Sequence, residues 1–183
     1  MIDTLLRYFP YLNDLQRQQF EALAVLYPEW NARINVISRK DIDNLCVNHV
    51  LHSLGIAKFI NPVDNTAFID LGCGGGFPGI PLAIMWPHCR FHLIDRIGKK
   101  LKVAESISDV IGLENVSFQH GDSAECHMHF DFVVSRAVMK LDELVKASRH
   151  LVARESHNGY PNGLICLKGG DIISEQHGLK GEE

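Results

Sequence analysis

The chain contains no apolar run near the ~18 consecutive residues that a membrane-spanning helix needs. It also lacks any Cys-x-x-Cys pair. Its five cysteines, Cys46, Cys73, Cys89, Cys126 and Cys166, are odd in number and scattered, which argues against a disulfide framework or a zinc ribbon and for reduced thiols. Basic residues are not in excess: 18 Lys and Arg stand against 22 Asp and Glu, a net charge of −4, so nothing pulls the whole molecule toward nucleic acid or an anionic membrane. Any RNA contact then requires a local basic patch. The start, Met1-Ile2-Asp3-Thr4, lacks the basic residues of a signal peptide. Repeats and low-complexity tracts are missing too. These absences describe a soluble, cytoplasmic, non-membrane protein. Its 183 residues, 46% hydrophobic and 22% charged, suffice for one sizeable core.

The first sixty residues read as a helical extension (1–60) ahead of a second unit (61–183). Phe20, Leu23, Tyr27, Trp30 and Ile34 recur at three- and four-residue steps, one apolar helical stripe. Pro28 falls inside it and is expected to break or kink the rod. A short segment, 4–9, ends at Pro10. Asp41 is placed to cap a further helix reaching residue 60, and Asn61-Pro62-Val63-Asp64-Asn65 is a loop by composition.

From Thr66 the pattern alternates. Strand signals at 67–71, 91–94, 116–119, 130–134 and 164–167 are separated by helical stretches at 79–85, 99–111 and 141–151, with at most a turn or two of helix between the third and fourth strands. Strands rich in Ile, Leu, Val and Phe without polar alternation are covered on both faces, which predicts a doubly wound α/β domain with a mostly parallel, Rossmann-like sheet.

The first of these strands runs into Asp70-Leu71-Gly72-Cys73-Gly74-Gly75-Gly76-Phe77-Pro78-Gly79, and Asp95 closes the second. Two templates fit. Gly74-x-Gly76-x-x-Gly79 followed by Asp95 matches the dinucleotide fingerprint of a nicotinamide-dependent oxidoreductase. Asp70-x-Gly72-x-Gly74-x-Gly76 matches the acidic glycine turn of S-adenosylmethionine (SAM) methyltransferases. Asp70 favours the second, because a carboxylate there can join the hydrogen bonding around a zwitterionic methionine, which a dinucleotide site does not require. Gly121-Asp122-Ser123 after the third strand points the same way.

Taken together, several motifs resemble the bacterial RsmG (GidB) family. They are Trp30-Asn31-x-x-x-Asn35-Val36-Ile37-Ser38, His49-Val50-Leu51-His52-Ser53, the turn with its tail Phe77-Pro78-Gly79-Ile80-Pro81-Leu82, Leu93-Ile94-Asp95-x-x-x-Lys99-Lys100, Ser135-Arg136-Ala137 and Leu167-Lys168-Gly169. The resemblance runs from about Trp30 to Gly169. It implies a class I SAM-dependent methyltransferase acting on guanine N7 of small-subunit (16S) ribosomal RNA. It also implies that Gly72, Gly74 and Gly76 let the backbone approach SAM, that Phe77 packs on it, that Asp95 accepts from the ribose hydroxyls, and that Asp122, Ser123 and Ala124 flank the adenine. Asp122 and Ala124 depart from the basic residue and glutamate common in the family there, which shifts adenine contacts toward backbone groups.

Arg136, just after the fourth strand, is the candidate for positioning cofactor or guanine. Guanine N7 carries a free lone pair, so alignment suffices without a strong general base. Arg39 and Lys40, and Lys99 and Lys100 with Arg96 and Lys102, form two basic clusters that fit either RNA phosphates or solvated faces. His49 and His52, three apart on one helix face, read as packing residues. His127-Met128-His129 lacks the partners of a metal site, and no metal is expected. Family members continue with two further strands, so the stretch after Lys168 implies a shortened sheet with an exposed edge, and leaves a non-catalytic SAM- or RNA-binding role as another reading.

Overall fold

A computed structural model describes residues 1–136 and 139–169. Helix α1 (Ile2–Tyr8) leads to α2 (Asp14–Asn31), whose start is fixed by a reciprocal cap: Asn13 Oδ1 accepts from the Gln16 amide at 2.9 Å and Gln16 Oε1 accepts from the Asn13 amide at 3.0 Å. Pro28 does not end α2. The proline removes one helical N–H, yet its own carbonyl still accepts from Ala32 at 3.1 Å, so the last turn closes around it.

The buried face of α2 carries Gln16, Gln19, Phe20, Leu23, Tyr27 and Asn31 at the helical period. Its glutamines are not misplaced. Gln16 Nε2 donates to the carbonyls of Ile84 and Met85 (2.9 and 3.1 Å), and Gln19 Nε2 donates to that of Ile111 (3.0 Å). These carbonyls lie at the ends of two later helices, where no intrahelical partner remains. The extension is thus joined to the sheet domain by hydrogen bonds as well as apolar packing.

The predicted helix over 41–60 is instead segmented: a 3-10 turn (Ile42–Asn44), a π-helical stretch (Leu45–Leu51), then α3 (His52–Leu54) and α4 (Ile56–Phe59). Asp41 caps nothing with its side chain. It accepts from the side chains of Asn44, Asn48 and His49, because the π-helical turn brings these groups to it rather than free backbone amides.

Then β1 (Ala67–Leu71), α5 (Gly79–Met85), β2 (Arg90–Asp95), α6 (Gly98–Val110), β3 (Val116–His120), a 3-10 turn (Ser123–Glu125), β4 (Phe132–Arg136), α7 (Leu141–Ser148) and β5 (Gly163–Leu167) follow. All strand pairs are parallel, in the order β3-β2-β1-β4-β5. This is the expected Rossmann-like class I methyltransferase sheet, with β1 at its centre. The pleat sends Phe68 and Asp70 to one face and Ile69 and Leu71 to the other. Phe68, fully buried, stacks with Trp86, Phe91 and Phe132, and burying one such side chain is worth about 1.5–3 kcal/mol. Its core is shared with α1, α2, α5 and α6, while Ile69, Leu71, Ile94 and Val133 pack with Leu144 and Leu151 on the opposite face.

The fourth strand begins two residues later than its apolar run suggests. Asp131 lies just before it, with its amide donating to the Ala67 carbonyl and its carboxylate accepting from the Ala67 amide, and the strand runs to Arg136. The expectation of missing final strands falls on residues 170–183, outside those described, as does Ala137 of the Ser-Arg-Ala motif. Among the described residues, no helix is long and apolar enough to cross a membrane.

Candidate active site

The carboxyl ends of β1, β2, β3 and β4 converge on the glycine turn. Gly72, Gly74 and Gly76 have φ of 71°, 55° and 105°, a region that disfavours side chains. Two of them differ in what surrounds them. A Cβ on Gly76 would lie 2.5 Å from Ile80 Cδ1, so the turn packs onto α5 there. A Cβ on Gly74 would meet nothing within 4 Å. That glycine faces open space.

Asp95 fixes the turn from β2. Its Oδ2 accepts from the Gly74 amide and its Oδ1 from the Ile97 amide, both at 2.7 Å, while the Ile94 carbonyl accepts from Gly72 and Cys73. Each carboxylate oxygen has a second lone pair left for a ligand hydroxyl. Beside Asp95 lies a narrow cleft of about 40 Å³ lined by Gly72, Ile94, Gly121, Ser123 and Met139 among others.

Asp70 is fully buried at the end of β1. Oδ2 accepts from the Gly79 amide at 2.7 Å, and among the described residues Oδ1 has no partner. Burial raises its pKa to about 7, against the lowering effect of the Gly79 N–H and of Arg136. An orphaned buried carboxylate oxygen costs stability unless a ligand donor completes it.

Arg136, the last residue of β4, lies across Phe77 with its guanidinium carbon 5.0 Å from the ring centroid. Its Nη1 donates to the Asn48 carbonyl at 3.2 Å and its Nη2 lies 3.0 Å from His49 Nδ1. Phe77 is therefore enclosed by Arg136, Tyr27 and His49 and is only 4% exposed. It seats the arginine.

The other expected residues divide. Asp122 heads the 3-10 turn, with its carboxylate accepting from the Ala124 amide (3.0 Å) and Ser123 hydroxyl (3.3 Å) and pairing with Arg96 (3.1 Å). The Ala124 amide, foremost, holds the Asp122 carboxyl below its ordinary pKa. Arg39, Lys40 and Lys99 are exposed and Lys100 half-buried, and among the described residues none of the four has an ion-pair partner. His52 is exposed and lines a separate groove of about 640 Å³ with Tyr8, Phe9, Asn48 and Lys58. His49 is not a plain packing residue, since both ring nitrogens have polar partners.

Tyr27 escaped the sequence reading except as part of an apolar stripe. Its hydroxyl donates to the Gly75 carbonyl at 2.8 Å. The available signal was a tyrosine on a buried face, which needs a partner for its hydroxyl. Asn31 likewise holds the loop beside the turn, accepting from the amides of Val36 and Ile37 and donating to the Ile37 carbonyl.

A family model described as rRNA small subunit methyltransferase G matches residues 16–176. The chain belongs to this family. A ribosomal RNA small subunit methyltransferase G from Phocaeicola vulgatus is 57% identical over 179 residues, covering 98% of this chain and 86% of that protein. The protein of the same name from Flavobacterium johnsoniae is 47% identical over 174 residues, 95% of this chain and 83% of its own. Among solved structures, TYW2 of M. jannaschii in complex with AdoMet aligns with a TM-score of 0.51 at 19% identity, covering 66% of this chain and 51% of that one. The precorrin 8W decarboxylase of Methanobacterium thermoautotrophicum aligns at 0.52 and 22% identity over 68% and 66%. At such identity these two show the fold alone.

The methyltransferase G family is SAM-dependent, and SAM is the cofactor here, which sets aside the nicotinamide template. The residues fit it. Among the described residues, Gly74 leaves open space beside the Asp95 carboxylate that binds its amide, which suits a ribose diol, and the unpartnered Asp70 Oδ1 suits an ammonium.

Proposed function

We propose that the chain methylates N7 of a guanine in small-subunit ribosomal RNA, acting in the cytoplasm on RNA or on the ribosomal subunit. When bound, SAM supplies an electrophilic sulfonium methyl. Asp70, Gly72, Gly74, Gly76 and Asp95 bind and orient the cofactor, while backbone groups of Asp122, Ser123 and Ala124 border its adenine. Residues 61–183 form the cofactor-binding unit and 1–60 the helical extension that braces it.

One observation supports N7 in particular. Two titratable groups beside the turn are already engaged. Tyr27 is pushed well above its ordinary pKa, chiefly by burial, and is engaged with Gly75. Asp70 is fully buried and bonded to Gly79. A nucleophile with a free lone pair needs neither. Arg136, at the ligand-binding edge of β4, positions the guanine or the cofactor. Arg39, Lys40, Lys99 and Lys100 meet RNA phosphates, supplying the local positive charge that the net charge of −4 withholds.

Incubating unmethylated small subunits with the chain and labelled SAM, then digesting the RNA for nucleoside mass spectrometry, tests this. The expected product is 7-methylguanosine. Label on another atom or base would refute the N7 reading, and SAM binding without turnover would select the non-catalytic one.

A further inference from the structure

We propose that His49, held by Asp41, is a positioning residue for Arg136 in methyl transfer, and that it works only as the neutral imidazole protonated on Nε2. This rests on the reading above that Arg136 serves the transfer site.

A guanidinium has five N–H donors and no acceptor. His49 Nδ1, 3.0 Å from Arg136 Nη2, must therefore accept, which leaves the ring proton on Nε2. Asp41 Oδ2 stands 2.7 Å from Nε2 and accepts that proton's hydrogen bond. Asp41 is itself fixed by Asn48 Nδ2 at 2.7 Å and Asn44 Nδ2 at 3.1 Å. The second arm of the clamp is the Asn48 carbonyl on Arg136 Nη1, and Phe77 forms the floor. Among the described residues, the hydrogen bonds to the arginine head group thus come from two adjacent residues of the π-helical stretch, an irregularity frequent at functional sites.

The charged and titratable groups facing this imidazole are Asp41 and His52 from its own segment and Arg136 from β4. Asp70 on β1 and Tyr27 on α2 face Arg136 from behind. Protonation of His49 on Nδ1 would set one N–H donor against another and a second positive charge beside the guanidinium. The clamp would open. Burial foremost, then Arg136 and His52, lowers the His49 pKa from 6.5, with the Asp41 bond opposing. The transition therefore lies on the acid side of an ordinary histidine.

Three single variants of the full chain and one double variant test the clamp, through single-turnover methyl transfer to small ribosomal subunits between about pH 5 and pH 8. Calorimetric binding of S-adenosylhomocysteine checks the pocket of each. His49→Phe keeps a ring against Phe77 but removes the acceptor; it should bind S-adenosylhomocysteine normally and lose transfer rate by about a hundredfold, the scale of a misplaced reacting group. His49→Gln keeps an amide oxygen for Arg136 and a donor for Asp41; it should recover most of that loss and remove the His49 component of the acid limb, leaving only the one that Asp70 contributes. On an Arg136→Ala background, His49→Phe should add nothing further.

A normal rate in His49→Phe, an acid limb in His49→Gln identical to that of the unaltered chain, or additive losses in the double variant would each overturn the clamp. A normal rate in Arg136→Ala would overturn the underlying role of Arg136 instead. If His49→Phe fails to bind S-adenosylhomocysteine, the His49→Gln profile alone decides.

Discussion

Tyr27 donates its hydroxyl hydrogen to the carbonyl of Gly75 at 2.8 Å, so a helical residue 48 positions upstream holds the middle of the glycine turn. The same ring lies 4.6 Å from Phe77, which carries Arg136. The helical extension is part of the active-site scaffold, not an appendage to it. Burial keeps the phenol protonated and therefore a donor across the physiological range.

Tyr27→Phe keeps the ring and removes only this bond, leaving a buried carbonyl unsatisfied. The expected loss is about 1–2 kcal/mol of unfolding free energy in urea, together with weaker S-adenosylhomocysteine binding because the turn is looser. Unchanged stability and affinity would mean that Asp95 alone holds the turn.

Two of the turn's positive-φ glycines separate folding from binding. Gly74→Ala puts a methyl group into open space and costs about 1–2 kcal/mol for the left-handed backbone, so the protein should fold and lose most of its S-adenosylhomocysteine affinity. Gly76→Ala drives a methyl to 2.5 Å from Ile80 Cδ1 on top of its strained φ, a destabilisation of roughly 2–4 kcal/mol. Thermal unfolding alongside calorimetry gives both readouts. The opposite ranking, with Gly76→Ala stable and Gly74→Ala binding normally, would place the cofactor elsewhere.

Asn31→Ala should remove three hydrogen bonds to the 36–37 loop at once, since the side chain accepts from Val36 and Ile37 and donates to Ile37. A destabilisation of about 2–3 kcal/mol is expected in urea, because buried backbone groups lose their partners. A loss under about 0.5 kcal/mol would indicate that the loop re-forms its bonds locally or with water.

Local chemistry made much of this molecule legible. The apolar runs around Phe68, Leu93 and Val133 gave the central parallel strands, and the glycines with Asp70 and Asp95 gave the cofactor turn. What stayed hidden depended on partners distant in sequence. Asp41 has the composition of a helix cap, yet the π-helical turn delivers Asn48 and His49 to it instead. Pro28 looks like a breaker, but it sits close enough to the end of α2 that one missing N–H is tolerated. Phe130 and Asp131 continue the apolar run of β4 on paper, while the bonds of Asp131 to Ala67 and the bridge of Phe130 to Val152 exclude both from the strand. His49 reads as a spacer in an apolar helix until Arg136, 87 residues away, is placed against it.

Asp70 couples proton binding to cofactor binding. Its carboxyl titrates at about 7 in the folded protein against 3.8 as the ordinary value, so the folded state holds this proton more tightly than the unfolded chain. The stability this contributes is fully present below about pH 4 and is lost as pH rises through 7, on the order of 4 kcal/mol. Asp70→Asn should remove that slope from the stability profile measured in urea. A cofactor ammonium brought beside the orphaned Oδ1 favours the ionised form and so expels the proton. At pH 7, where the group is about half protonated, S-adenosylhomocysteine binding should release up to about half a proton, and at pH 9 almost none. Calorimetric enthalpies in buffers of different ionisation heat read this number directly. Equal enthalpies at pH 7 would show that Asp70 does not face the ammonium, whereas a release abolished by Asp70→Asn would assign the proton to this carboxyl.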